Sequence, residues 1–484
     1  MAVDSAGEEA VRTDLRLAAT LGMMVLCLST QNAFAVGTLY TLQENGPQDL
    51  RINIVILAEG YTASQEATFV MNAGDVLGDL LATTPWSQYV SYTNGYAIFV
   101  ASNQSGADHP SDPETPFVDT YFNSTFESFS IERLLTIPPN DFDPDYSHGA
   151  GKVYSLLATH VPSYDVVLVL VNDPEYGGSG GDIAVSSMHP AAPEIVIHEI
   201  GHSFAQLGDE YDSPYPGYPD IEEPNTTRQT IRELIKWNAW ILPSTPIPTP
   251  ESGTYSSVVG LFEGAHYHAS GWYRPKLNCK MQSLGVPFCA VCSELHVVSG
   301  YNLVSPIDSL IPLPGPSNIT TVEAETLRVV PKMPAALPLK IRWFDNGVPT
   351  GVITGDGVFT GLDLGPGTHA LKCVVTDTTQ LVRIDPGGLL KDSATWSVTV
   401  TAICSCPCHA DPACDAVKSD ILDVVNTINV AFRGTAGTVS GACPYQDTDV
   451  DCTTATDILD VVKVVNVAFR GANANTEYCS PCAP

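Results

Sequence analysis

Basic residues are scarce. Lys and Arg number 22 against 54 Asp and Glu, for a net charge of −32. Nucleic acids and anionic membrane surfaces are held through Lys/Arg patches, so the composition argues against both as partners. Long apolar runs are scarce as well. The best candidate, LAATLGMMVLCLSTQNAFA at residues 17–35, falls short of the roughly 20 apolar residues that a spanning helix needs. Arg12 and Arg16 precede it and Ala33-Phe34-Ala35 closes it. That is the layout of a secretory signal peptide, residues 1–35, cleaved after Ala35; an N-terminal membrane anchor is the alternative. Asp4, Glu8 and Glu9 make the leader untypical, as a start codon placed too early would. No later stretch is apolar enough to cross a bilayer, so the mature chain carries no membrane span. The reading is a soluble protein of an extracellular or salty medium.

Cysteine is not scarce. Of 13, Cys27 leaves with the signal and twelve remain; in an exported chain an even number reads as disulfides. A chain of 484 residues also exceeds one ordinary core, which predicts two to four domains.

The chemistry concentrates in residues 191–212, AAPEIVIHEIGHSFAQLGDEYD. His198, Glu199 and His202 form H-E-x-x-H. Positions four apart share a helix face, so the two imidazoles can bind one Zn²⁺ with Glu199 close enough to act on a water at the metal. Gly201 is costly inside a helix and predicts a close contact against its backbone. Asp209 and Glu210 follow, and either could supply an oxygen ligand.

Around this helix the pattern is α/β. RINIVILA (51–58) reads as a buried strand, YAIFVAS (96–102) as a second, and DVVLVLVND (165–173) as a central one. EYGGSGGDIAVSS (175–187) is a glycine-rich turn into a short strand, whose edge, at Gly180 and Gly181, could hold an extended peptide by strand addition. Residues 213–260 look loop-like except for KWNAW (236–240). Cys279, Cys289 and Cys292 then cluster. Two could tie a loop; a thiolate zinc site is the alternative and would need one more ligand. His266 and His268 read as ordinary loop histidines, with at most one facing a cleft.

Residues 305–318 read as a proline-rich linker. Residues 319–403 alternate apolar and polar residues, with a hairpin turn at Asn346-Gly347, as in an immunoglobulin-like β-sandwich. Residues 404–484 hold eight cysteines and a repeat: SDILDVVNTINVAFRG (419–434) recurs 37 residues later as TDILDVVKVVNVAFRG (456–471). Each copy is a helix with one apolar face, and the two faces are expected to pack together. Asp447, Asp449, Asp451 and Asp457 are candidate Ca²⁺ ligands; the first copy keeps only Asp411, Asp415 and Asp420.

HEIGHSFAQLGDEY resembles the signature of the IgA-peptidase family of secreted bacterial zinc metallopeptidases. ILAEGYTASQEATF, NQSGADHP, TYFNSTFESFSIERLL, VLVNDPEYGGSGG and FEGAHYHASGWYRP…CKM agree with it, over roughly residues 40–300. The resemblance implies a metzincin-like fold, with Met281 in a methionine turn beneath the zinc. It also implies Asp209 as third ligand after His198 and His202. The usual metzincin spacing falls on Gly208, one residue earlier, so Glu210 stays open as well. Residues 404–484 resemble a dockerin-type repeat domain with extra cysteines.

The expected fold is thus an α/β zincin over residues 36–304, an all-β sandwich and a small α-helical repeat domain. The expected function is secreted, zinc-dependent endopeptidase action, with Glu199 as general base and Tyr211 or Tyr273 as oxyanion partner. A non-catalytic adhesion or assembly protein and a zinc hydrolase of a non-peptide amide are the rival readings. The C-terminal domains would bind a protein or cell-surface partner.

Overall fold

The structure, a computed structural model, describes residues 36–482 except 216, 316–318, 322–325, 337, 355–356, 361–363, 365–366 and 401–404. The signal reading of residues 1–35 and Cys404 lie outside the described residues.

The first module is built on one sheet. Its elements are β1 (Thr38–Gln43), β2 (Ile52–Glu59), α1 (Glu66–Ala82), β3 (Thr93–Phe99), α2 (Gly149–His160), β4 (Val166–Val171), β5 (Gly178–Ser179), β6 (Ala184–Ser187) and α3 (Ala192–Ala205). The strand order is β1-β3-β2-β4-β6-β5. β3, β2, β4 and β6 run parallel, and antiparallel β1 and β5 close the two edges. β2 and β4 are buried along their whole length because both sheet faces are covered. Ile52, Ile54 and Ile56 point into a core shared with α1 and α3. Val55 and Leu57, one residue out of phase, point into a second core with α2, Phe122 and Phe126. A hairpin, β7 (Phe262–Ala265) and β8 (His268–Arg274), precedes α4 (Ala290–Leu303), which joins the first core.

Glu59 ends β2 fully buried. Its carboxylate accepts from Thr120 Oγ1 at 2.6 Å, Phe122 N at 2.8 Å and Ser124 N at 2.9 Å. This one side chain ties the segment containing TYFNSTF to the sheet.

The second module comprises β9 (Ile307–Ile311), β10 (Ile319–Thr321), β11 (Thr326–Pro331), β12 (Lys340–Asp345), β13 (Val348–Thr354), β14 (Val358–Thr360), β15 (Gly367–Thr376) and β16 (Lys391–Val400). Sheets β10-β16-β15-β12-β13 and β14-β11-β9 share one core around Trp343, Trp396 and Val329. Asn346 and Gly347, both at positive φ, turn β12 into β13. The linker expectation for residues 305–318 needs correction: Ile307–Ile311 is a strand, paired antiparallel to β11. The prolines after it mask an alternating IDSLI pattern. Tyr89 and Tyr301 of the first module both donate to Asp377 of the second, at 2.7 and 2.8 Å.

The tail has helices α5 (Ile421–Arg433), α6 (Ile458–Arg470) and α7 (Ala474–Glu477). Asp420 and Asp457 cap α5 and α6, and Gly434 and Gly471 end them in the left-handed conformation. Its core is small: Ala410, Val424, Val450 and Val464. The two apolar faces therefore meet only in part. Ile421, Leu422, Val425 and Phe432 of the first copy, and Ile458, Leu459, Val462 and Phe469 of the second, stay exposed. Disulfides join Cys406–Cys443, Cys408–Cys414 and Cys452–Cys479. The expectation that all twelve cysteines pair fails at Cys279, Cys289, Cys292 and Cys373, which are buried free thiols.

Among the described residues no helix is long and apolar enough to cross a membrane.

Candidate metal centre and cleft

α3 starts with Pro193 in its first turn, runs through the H-E-x-x-H motif and stops at Gln206. Gln206 takes a left-handed φ of 54°, a conformation that reverses the chain at a helix C-terminus. Leu207 N and Gln206 N then return to Gly201 O and His202 O. That reversal brings Asp209 back over the helix. Asp209 Oδ1 lies 3.1 Å from His198 Nε2 and 3.4 Å from His202 Nε2, and the two Nε2 atoms are 3.2 Å apart.

The outer ring nitrogens are spoken for. His198 Nδ1 lies 3.0 Å from Lys280 O, and His202 Nδ1 lies 2.6 Å from Leu207 O. A carbonyl only accepts, so each Nδ1 carries its hydrogen and each neutral ring turns a lone pair inward. Two lone pairs and a carboxylate oxygen then converge on one point. Such a set is stable around a cation, and these residues fit a metal ion held by two imidazoles and one carboxylate. Among the protein groups alone the same convergence shows as charge. Burial would lower His202, but Asp209 more than offsets it and raises it to about 10. Burial would raise Asp209, but the two histidines hold it well below the usual carboxylate range. Burial pushes Glu199 up.

Glu210, the other candidate, points away. It is fully buried, and its Oε1 accepts from Asn225 Nδ2 at 3.0 Å. Met281 is buried beneath the helix, its sulfur 2.6 Å from where a Cβ on Gly201 would stand. This is the close contact expected at Gly201. The neighbouring Lys280 pairs with Glu194 of α3, and Met281 O accepts from Glu210 N at 2.9 Å.

The histidines and Glu199 floor a cleft of about 840 Å³. Gly178, Ser179, Gly180 and Gly181 form one wall, and Ile131, Arg133 and Leu134 lie beside them. A Cβ on Gly180 would sit 2.8 Å from His202 Cβ and 3.0 Å from Glu199 Oε2, so only glycine lets this segment lie over the motif. The outer edge of β5 is not wholly free: Gly178 bridges Leu134.

Tyr211 lines the cleft with its ring centroid 6.0 Å from that of His198. Tyr273 does not line it. β8 carries it away from the cleft, and its backbone pairs with Thr227. Tyr267 is the residue that sequence reasoning missed: it lines the cleft and its hydroxyl donates to Asp209 Oδ2. Its signal lay in FEGAHYHASG, where the two histidines drew attention instead. His266 is buried between Glu223, Pro219 O and the Trp272 ring, and His268 is exposed, so neither reaches the cleft.

In the tail the calcium candidates separate. Asp447 bonds to Thr438 and Ser440, and Asp457 is spent on the α6 cap. Asp449 and Asp451 do converge, joined by Asp460 rather than Asp457.

Two imidazoles, a carboxylate and an adjacent glutamate on the floor of a long cleft define a metal-dependent hydrolase. The family model described as IgA peptidase M64 matches residues 40–255 and 251–297, more than half of the chain. The chain belongs to that family and is a metallopeptidase, hydrolysing peptide bonds in a protein or peptide substrate. No curated protein matched the sequence.

Proposed function

We propose that the chain is a secreted bacterial zinc endopeptidase with a metzincin-like catalytic module, in which His198, His202 and Asp209 hold the zinc and Glu199 is the general base. The observation that carries this reading is the convergence of the three ligand atoms, within 3.4 Å of one another, beside Glu199 at the cleft floor. Bound there, zinc supplies the Lewis acidity that acidifies water and polarises a carbonyl. Glu199 takes the proton from the attacking water and delivers it to the leaving amine. Backbone at Gly180 and Gly181 aligns the peptide, and Tyr211, which lines the cleft, is the candidate to bond the developing oxyanion. Tyr267 keeps Asp209 oriented, as outer partners of metal ligands do.

The Glu199→Gln chain should retain its zinc while kcat falls by at least about 100-fold, the scale of a lost general base. Digestion of a peptide library, with metal content measured alongside, tests this. Full activity in that variant would end the mechanism.

The C-terminal modules serve attachment in this reading. The two-sheet module is immunoglobulin-like and the tail dockerin-like. Support comes from the matching exposed residues Ile421, Leu422 and Phe432 and Ile458, Leu459 and Phe469, an apolar surface repeated by the two copies. Asp449, Asp451 and Asp460 are the candidate calcium ligands. Disulfides in the tail suit an oxidising compartment. Expression of the chain with and without residues 404–484 checks both points. Both forms should begin at Val36 in the medium and cleave small peptides equally, and only the longer should associate with cells or matrix. Retention of the full leader inside the cell, or loss of small-peptide activity on truncation, would contradict the reading.

A further inference from the structure

Asp209 and Glu210 are consecutive, yet their carboxylates leave the chain in different directions. Asp209 meets the histidines. Glu210 meets three thiols: its Oε1 lies 3.6 Å from Cys292 Sγ, and that sulfur lies 3.6 Å from both Cys279 Sγ and Cys289 Sγ. One ligand atom from each of the four falls within 4.8 Å of all the others, and all four residues are buried.

The spacing is informative. A disulfide would bring two sulfurs to about 2.05 Å. A tetrahedral metal with bonds of about 2.3 Å to sulfur and 2.0–2.2 Å to oxygen sets S···S near 3.8 Å and S···O near 3.5 Å. The observed 3.6 Å separations lie within a few tenths of an ångström of both. Three thiols also cannot all pair, so oxidation would strand one of them.

Two further features point to a cation. Glu210 is 0% exposed, and its Oε2 is buried with no hydrogen-bond partner. Leaving a carboxylate oxygen unmatched in the interior is costly unless positive charge meets it. Two protein cations lie near: Arg274 faces Glu210, but its guanidinium goes to Glu263 O, Gly264 O and the Glu251 carboxylate, and Lys276 faces Cys279 and Cys289 rather than Glu210. Backbone amides also face the sulfurs. Cys289 N donates to Cys279 Sγ at 3.2 Å and Cys292 N to Cys289 Sγ at 3.5 Å. Amide hydrogens aimed at sulfur stabilise thiolate, the form that binds metal.

We propose that Glu210, Cys279, Cys289 and Cys292 form a second, closed zinc site, separate from the cleft and structural in role. It supplies the fourth ligand that the three cysteines lack on their own. The ion would join three segments: the loop carrying Asp209, the turn carrying Lys280 and Met281, and the N-terminus of α4. Lys280 O faces His198 Nδ1 and Met281 O receives Glu210 N, so the buried site braces the wall against which the cleft histidine is oriented.

The test uses the full chain purified without chelator. Native mass spectrometry should count two zinc ions per chain, and zinc X-ray absorption should show sulfur scatterers at about 2.3 Å beside nitrogen and oxygen. After cobalt exchange, a thiolate-to-cobalt charge-transfer band should appear. His202→Ala should lose one metal and keep the sulfur shell and the band. Cys289→Ser should lose one metal and both of those signatures. Glu210→Gln, which preserves shape and the Asn225 contact, should release the sulfur-bound metal faster to chelator and so reports even if the serine variant fails to fold. A single zinc with only nitrogen and oxygen neighbours, or a mass deficit locating a disulfide among the three cysteines, would overturn the proposal. Neither result would touch the histidine site, whose failure would instead show as wild-type zinc bound only by sulfur.

Discussion

The histidine group and the cysteine group diverge at a single peptide bond, between Asp209 and Glu210. They sit back to back against the turn at residues 279–281 and differ mainly in access. The histidine group floors a cleft of about 840 Å³, whereas every member of the cysteine group is buried. Structural zinc sites are closed and catalytic ones keep an open position. In the proposed reading substrate reaches the first group alone, so access, more than donor type, would separate chemistry from bracing. The shared turn means that each group bears on the other's geometry.

Adjacent alanine substitutions break the comparison most sharply. Asp209→Ala should release the cleft metal and lower kcat/KM by more than about 100-fold, beyond the 10–100-fold usual for an outer partner. Glu210→Ala should spare the cleft metal. Metal counts and turnover on the two purified chains decide this. If only the Glu210 variant loses cleft metal, the roles of the two carboxylates are reversed.

A smaller effect is expected where the turn meets the helix. An alanine at Gly201 gains up to about 1 kcal/mol of helix propensity. Its Cβ would stand 2.6 Å from Met281 Sδ, and overpacking of that kind typically costs about 1–3 kcal/mol. Gly201→Ala should therefore destabilise in urea melts, and the double variant with Met281→Ala should lose less than the sum of the two single losses. Additive losses in the double variant would show that the two residues do not press on each other.

The smallest effect concerns α4, whose N-terminus carries two of the cysteines. His296 is buried against Trp86, Phe204 and Phe288, and both its ring nitrogens lack hydrogen-bond partners. Burial holds its pKa down at about 3, against the usual 6.5. A depressed pKa means that the folded state resists the proton. The stability it contributes is full above pH 6.5 and is lost as pH falls toward 3, by up to about 1.4 kcal/mol per unit. His296→Leu should leave the neutral melting temperature equal or slightly higher and flatten the decline between pH 6.5 and 4. An unchanged acid limb would show that another group controls it.

Much of the site was legible in the chain because it is local. His198 and His202 face one way by helix periodicity alone, and Gly201 announced a close contact through its cost in a helix. β2 and β4 were legible because burial on both faces removes polar alternation. β1, α2 and α4 were not. β1 is a half-exposed edge, α2 opens with glycines, and α4 is buried on several sides and so shows no single stripe.

The sequence by itself determined the helix that aligns two imidazoles with a glutamate, the repeat in the tail, and the net acidity of the chain. Each of these rests on spacing along the chain or on a sum over it. Only the tertiary structure decided that Asp209 turns to the histidines and Glu210 to the cysteines, that Tyr267 rather than Tyr273 reaches the cleft, and that Asp460 rather than Asp457 joins the tail's acidic group. The first two outcomes depend on a left-handed turn at Gln206 and on a hairpin about 60 residues further along. No periodicity encodes contacts of that kind, because they form only when distant segments pack.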